Sequence, residues 1–178
     1  MAYEIDFIGV GDEVKKDADA ITIRWKDDNG DYKIAVYDGG LQAHGDKMVE
    51  HLNEYYFSDS TDKVIDCVIC SHSDLDHASG LKRILEEFEV KKLYMNRPWL
   101  YIDDVWDSVS DGRITKESLC ERLKKEYQYI SDLEKMAEDK KIMSKSNIIK
   151  SEQKNNPETK MFTPKTKEEY TVAQSETP

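Results

Sequence analysis

The chain has 178 residues, enough for one domain with a buried core, and 35% of them are charged. Its net charge of −11 repels nucleic acid at long range, and its apolar runs fall far short of a membrane span. Three cysteines give no disulfide framework and Met1-Ala2-Tyr3-Glu4 opens no signal peptide, so the expectation is a cytoplasmic protein.

Residues 4–10 and 20–25 read as strands, the second with Ile21, Ile23 and Trp25 alternating onto one face. Asp27-Asp28-Asn29-Gly30-Asp31 is a turn rich in residues that tolerate positive φ. Residues 32–37 form a third strand that closes at Asp38-Gly39-Gly40, and three strands with short turns predict an antiparallel meander. A helix over residues 47–57 turns Met48, Leu52 and Tyr55 inward. His51 falls among apolar neighbours and reads as a packed histidine, while His44 sits at the helix start near the glycine turn.

Residues 64–70 are almost continuously apolar, the character of a central buried strand. Cys67-Val68-Ile69-Cys70 has zinc-knuckle spacing, but residues three apart on a strand face opposite ways, so both thiols read as small hydrophobes. Leu81, Ile84, Leu85 and Phe88 keep helix spacing, and residues 90–95 return as a strand, which implies a parallel crossover. Trp99, Tyr101 and Trp106 stand among acids in a short helix and loop over residues 97–110. Ser118-x-x-Glu121 is a capping box for a helix that can begin as early as Thr115. Leu119, Leu123, Tyr127, Ile130, Leu133 and Ala137 then mark one long amphipathic helix. Residues 140–167 hold eight lysines against Glu152 and Glu158, so 141–159 reads as a basic flexible linker before a short strand at 160–163.

The densest chemistry lies between the strand at 64–70 and the helix at Leu81. Within Ser71-His72-Ser73-Asp74-Leu75-Asp76-His77-Ala78-Ser79-Gly80, four potential metal ligands occupy six positions. Two imidazoles and two carboxylates this close call for a cation to share. A strand that stops, a ligand-rich turn and a helix present such groups at the carboxyl end of the strand, where open sheets place their chemistry. Carboxylates beside imidazoles move metal preference from zinc toward harder ions, making manganese a rival. The bland reading is a polar turn whose aspartates and serines, Ser79 included, cap the next helix.

His72-x-Asp74-x-Asp76-His77 followed by Gly80 resembles the metal-binding signature of the metallo-β-lactamase superfamily, with Asp74 where a second histidine is usual. That replacement resembles the lactamase-like domain of bacterial DNA-uptake (competence) channel proteins and their soluble relatives. Phe7-Ile8-Gly9-Val10-Gly11-Asp12 with Asp19-Ala20-Ile21-Thr22-Ile23, Tyr37-Asp38-Gly39-Gly40, and Met95-Asn96-Arg97-Pro98-Trp99 are similar to other segments of that branch. Complete members carry a later Gly-Asp and a His-His-Gly-Ser; neither follows His77 here.

The resemblance implies an α/β fold, a metallo-β-lactamase-like αββα sandwich whose mixed sheet is flanked by helices, incomplete in this chain. Residues 1–140 would be that domain, with a helical insertion at 97–140, and 160–178 the start of its second half or a tail. His72 and Asp74 would serve one ion and Asp76 with His77 a second, zinc or manganese. Asp76 would also activate the attacking water, with Asp38, Gly39, Ser71 and Gly80 supporting. The implied activity is hydrolysis of a phosphodiester in nucleic acid or a nucleotide, with no membrane partner. The competing expectation is a catalytically incomplete half-domain that binds a partner, or is completed by a partner chain or a homodimer.

Overall fold

The computed structural model describes residues 3–9, 18–58, 60–109 and 112–145. Strands β1 (Tyr3–Phe7), β2 (Ala20–Lys26) and β3 (Tyr32–Gly39) form the expected antiparallel meander. The apolar run at 64–70 is not one strand. It divides at Asp66 into β4 (Val64–Ile65) and β5 (Cys67–Cys70). The division follows from the Asp66 carboxylate, which accepts from Ile34 N at 3.0 Å and from Lys91 Nζ at 2.8 Å. Strand β6 (Glu89–Val90) pairs in parallel with β4, and β7 (Lys92–Met95) in parallel with β5. With β8 (Met143–Lys145) on the far edge, the main sheet is mixed and six-stranded in the order β1-β2-β3-β5-β7-β8.

β8 occupies the first residues of the stretch expected to be a basic linker. The rest of 141–159, the strand expected at 160–163 and the tail to 178 lie outside the described residues. Among the described residues no helix is long and apolar enough to cross a membrane.

Helices cover one face of this sheet. Helix α1 (Gly45–His51) continues into a π-helical turn, Leu52–Tyr56. The expected inward face of Met48, Leu52 and Tyr55 is corrected there: Met48 and Leu52 are buried, Tyr55 is exposed, and Tyr56 takes the inward place. A π-turn adds a residue to the repeat, so the side chain below Leu52 comes four positions on rather than three. Tyr56 accepts from Thr22 Oγ1 at 3.1 Å and donates to Asp6 Oδ2 at 3.0 Å. Burial pushes its hydroxyl up to about 12, with Asp6 adding to the shift, so it remains a donor throughout the physiological range. His51, expected as a packed histidine, is partly buried with Nε2 3.0 Å from Asp6 Oδ2.

Two short helices follow β5, α2 (Leu75–Ala78) and α3 (Leu81–Glu87), the latter burying Leu81, Ile84 and Leu85. Pro98–Tyr101 and Trp106–Ser108 are 3-10 turns flanking α4 (Ile102–Val105). The long amphipathic helix is in fact two, α5 (Lys116–Glu126) and α6 (Gln128–Asp139), broken at Tyr127, whose ψ of 51° is not helical. Only α6 contributes fully buried side chains, Ile130, Leu133 and Ala137. The break lets α6 turn into the core while α5 lays Leu119, Cys120 and Leu123, only partly buried, against it. Thr115 caps α5 by accepting from Ser118 N at 3.1 Å, and Ser118 Oγ accepts from Thr115 N at 3.0 Å; the capping box therefore sits three residues before the one expected.

A nearly buried ion pair ties α6 to the segment after β7. Glu134 Oε1 accepts from Arg97 at 3.0 Å and from Trp99 Nε1 at 3.4 Å, and Lys124 lies 3.7 Å from its other oxygen. Glu134→Ala removes the anion that these groups share, and we expect a loss of roughly 3 kcal/mol in urea unfolding. A loss below about 0.5 kcal/mol would assign the cluster to the weak surface class.

Candidate metal centre

Parallel pairing of β3 and β5 brings their carboxyl ends to one rim of the sheet. At the end of β3, Asp38 takes φ 58°, a left-handed conformation that aspartate tolerates better than most residues. Its side chain is 2% exposed, an anion inside the fold that must be fully partnered. Those partners all come from the ligand turn after β5. Oδ1 accepts from Ser71 N at 2.8 Å, and Oδ2 accepts from Ser71 Oγ at 2.6 Å and from His77 Nδ1 at 2.9 Å.

With both imidazoles uncharged, the hydrogen-bond pattern assigns their tautomers. A carboxylate only accepts, so His77 Nδ1 carries the hydrogen and its Nε2 is bare. Ser71 spends its single hydroxyl proton on Asp38, so at 2.8 Å from His72 Nδ1 its oxygen can only accept. His72 Nδ1 is therefore also protonated and its Nε2 also bare. Both free nitrogens point toward carboxylates at separations too long for a good hydrogen bond, His72 Nε2 3.5 Å from Asp74 and His77 Nε2 3.9 Å from Asp76. The two ring centres are 3.8 Å apart.

Asp38, His72 and His77 each offer a ligand atom within 4.8 Å of the others, the one such group among the described residues. This donor set fits a divalent cation: two imidazoles with bare nitrogens, backed by a buried carboxylate that fixes their orientation. Asp74 and Asp76 are more exposed and stand at the mouth of the site. On Asp38, expected only as support, three of the turn's polar groups converge. Asp19, which the sequence did not single out, approaches His77 Nδ1 at 3.9 Å, held there by Gly40 N donating to its carbonyl. His44 stands at the start of α1, outside this group.

Gly39 and Gly80, expected as supporting residues, stand where two backbones meet. A Cβ on Gly80 would lie 1.8 Å from Gly39 O, and one on Gly39 would lie 2.4 Å from Leu81 N. The end of β3 and the α2–α3 junction thus touch backbone to backbone, with Gly80 N donating to Gly40 O at 2.9 Å. Ser79 does not cap the start of α3, where Gly80 stands, but is the C-cap of α2. Its hydroxyl donates to Leu75 O at 2.5 Å and accepts from Gln42 N at 2.8 Å, bracing the turn against the segment after β3.

Cys70 lies beneath this network, its thiol donating to His72 O at 2.9 Å. Burial, reinforced by the Asp38 charge, pushes that thiol up to about 12 despite the bond to His72. A raised value keeps the sulfur protonated and unreactive. Iodoacetamide at about pH 8 is therefore expected to leave Cys70 unmodified in the folded protein and to alkylate it in denaturant, as read by peptide mass spectrometry.

No curated protein matches this chain. The profile of the metallo-beta-lactamase superfamily matches residues 26–140, which include the whole ligand turn and the end of β3.

Proposed function

This chain belongs to the metallo-beta-lactamase superfamily, and from that footing we propose that it carries the ligand turn of a metal-dependent hydrolase acting on phosphodiester bonds. The observation behind the reading is the pair of bare Nε2 atoms, each beside an aspartate. His72 and Asp74 would hold one divalent ion, and His77 and Asp76 a second. Bound there, such ions supply positive charge to a phosphodiester and lower the pKa of water. Asp38 and Ser71 keep the imidazoles in the ligating tautomer, and Asp76 orients the attacking water. Asp74 in place of a nitrogen donor supports a harder ion, manganese over zinc, and with it the competence-type branch and a nucleic-acid or nucleotide substrate.

A second reading has its own support. The turn offers two imidazoles, and the remaining histidines, His44 and His51, lie at α1. Two protein ligands per ion fall short of the three usual at a catalytic centre. On this reading the chain binds a partner, or is completed by one that brings further ligands.

Elemental analysis of the purified chain, with phosphodiesterase assays in manganese and in zinc, separates the readings. Asp76→Ala and His77→Ala are expected to lose bound metal and turnover together. Unchanged turnover in both variants would end the catalytic reading, and a metal-poor, inactive wild-type chain would favour the second.

A further inference from the structure

The pairing of β2 with β3 slips by one residue at the rim of the sheet. Ile21 stands opposite Tyr37 but Ala20 opposite Gly39, so Asp38 is the extra residue of a β-bulge and has no partner across the ladder. Bulges beside active sites re-aim side chains, and this one serves two carboxylates at once. Asp38 leaves the ladder with φ 58° and turns its side chain to the ligand turn. The start of β2 is carried one position further along β3, where Gly40 N donates to Asp19 O at 2.9 Å. Asp19 thereby reaches the same imidazole as Asp38, its Oδ2 3.9 Å from His77 Nδ1.

His77 Nδ1 thus faces two carboxylates but has one hydrogen to give. Asp38 takes it at 2.9 Å. At 3.9 Å Asp19 is too far to share it and acts through its charge. The charge of Asp38 is divided among three donors, whereas among the described residues the Asp19 carboxylate pairs with His77 alone. A cation held at His77 Nε2 draws electron density through the ring and leaves the Nδ1–H end more positive. A carboxylate near that end favours the loaded imidazole over the empty one, which is how groups behind a ligand raise metal affinity. Asp76 stands at the other nitrogen, 3.9 Å from Nε2, where it would share the ion rather than back the ring.

We propose that Asp19 is a positioning residue of the metal centre, a second carboxylate behind His77 that acts by charge and strengthens the hold of Nε2 on a divalent cation. This role rests on the metal reading above, to which it adds a residue outside the ligand turn.

Isothermal titration of the full chain with manganese tests it, at about 0.01 M and about 1 M potassium chloride, where the Debye length is roughly 30 and 3 Å. Asp19→Asn is expected to weaken binding about three- to tenfold at the lower salt, less than the 10- to 100-fold of a partner hydrogen-bonded to the ligand. At the higher salt the deficit is expected to shrink to about twofold or less. Asp19→Glu keeps the charge and is expected to stay within about twofold of the wild type. Asp28→Asn removes the same charge from the turn at the far end of β2 and is expected to bind like the wild type. The urea midpoint of Asp19→Asn is expected to be unchanged, because Gly40 N bonds to the backbone carbonyl. Equal affinities in Asp19→Asn and a wild type that binds overturn this role alone. A deficit undiminished at high salt makes Asp19 a ligand of the ion itself, and an equal deficit in Asp19→Glu or in Asp28→Asn removes the local charge as its cause; each overturns the role. A wild type that binds no manganese overturns this role and the metal reading together.

Discussion

Gly80→Ala is expected to destabilise the protein by about 3 kcal/mol or more, among the largest effects of any single methyl group here. The added Cβ would stand 1.8 Å from the carbonyl oxygen of Gly39 and 3.1 Å from that of Gly40. Neither obstacle is a side chain that can swing away. Both belong to the backbone that carries Asp38, so the junction must open, and the Gly80 N to Gly40 O hydrogen bond is strained with it. Gly112→Ala is the internal control, because nothing lies within 4 Å of its Cβ position, and a shift within about 0.5 kcal/mol is expected. Urea unfolding followed by circular dichroism measures both. Equal, small shifts would mean that β3 and α3 are not in backbone contact.

Asp38→Asn is expected to weaken binding of manganese or zinc by about 10- to 100-fold while leaving the fold in place. Asparagine has nearly the same shape and tolerates the left-handed φ of this position. What it cannot do is accept at both atoms. Where its amide nitrogen faces His77 Nδ1, the imidazole shifts its hydrogen to Nε2 and loses the lone pair that a metal needs. Isothermal titration with each metal reads the effect directly. Asp38→Ala is expected to lose the fold as well as the metal, since Ser71 N, Ser71 Oγ and His77 would all give up their acceptor. Wild-type affinity in Asp38→Asn would show that the tautomers are held by something other than this carboxylate.

Such effects depend on contacts at very different distances along the chain. Asp38 and His77 are 39 positions apart, and their meeting needs β3 and β5 to pair in parallel so that both end at one rim. The ligand types and their crowding could be read without that knowledge. The orientation of each imidazole could not, because it follows from one carboxylate on another strand.

Elements show the same division. The meander, the crossover and the helix at Leu81 were legible because each shows in local periodicity and turn chemistry. The errors lie where tertiary packing overrides that periodicity. A continuous apolar rhythm through Tyr127 hides a break that carries α6 into the core, and a helical repeat through Leu52 hides a π-turn that exchanges Tyr55 for Tyr56. At Asp66 a single side chain, bonded to Ile34 N and Lys91, interrupts a run that composition alone reads as one strand.

From the amino-acid order alone came the fold class, through a family resemblance, and a turn crowded with potential metal ligands, since spacing and residue chemistry are local properties. Only the folded chain decided that the polar groups of the ligand turn converge on Asp38, that Gly39 and Gly80 must lack side chains, and that Tyr3 and Phe7 stay exposed among the described residues. Those are consequences of which distant backbones touch, and of which surfaces burial leaves uncovered.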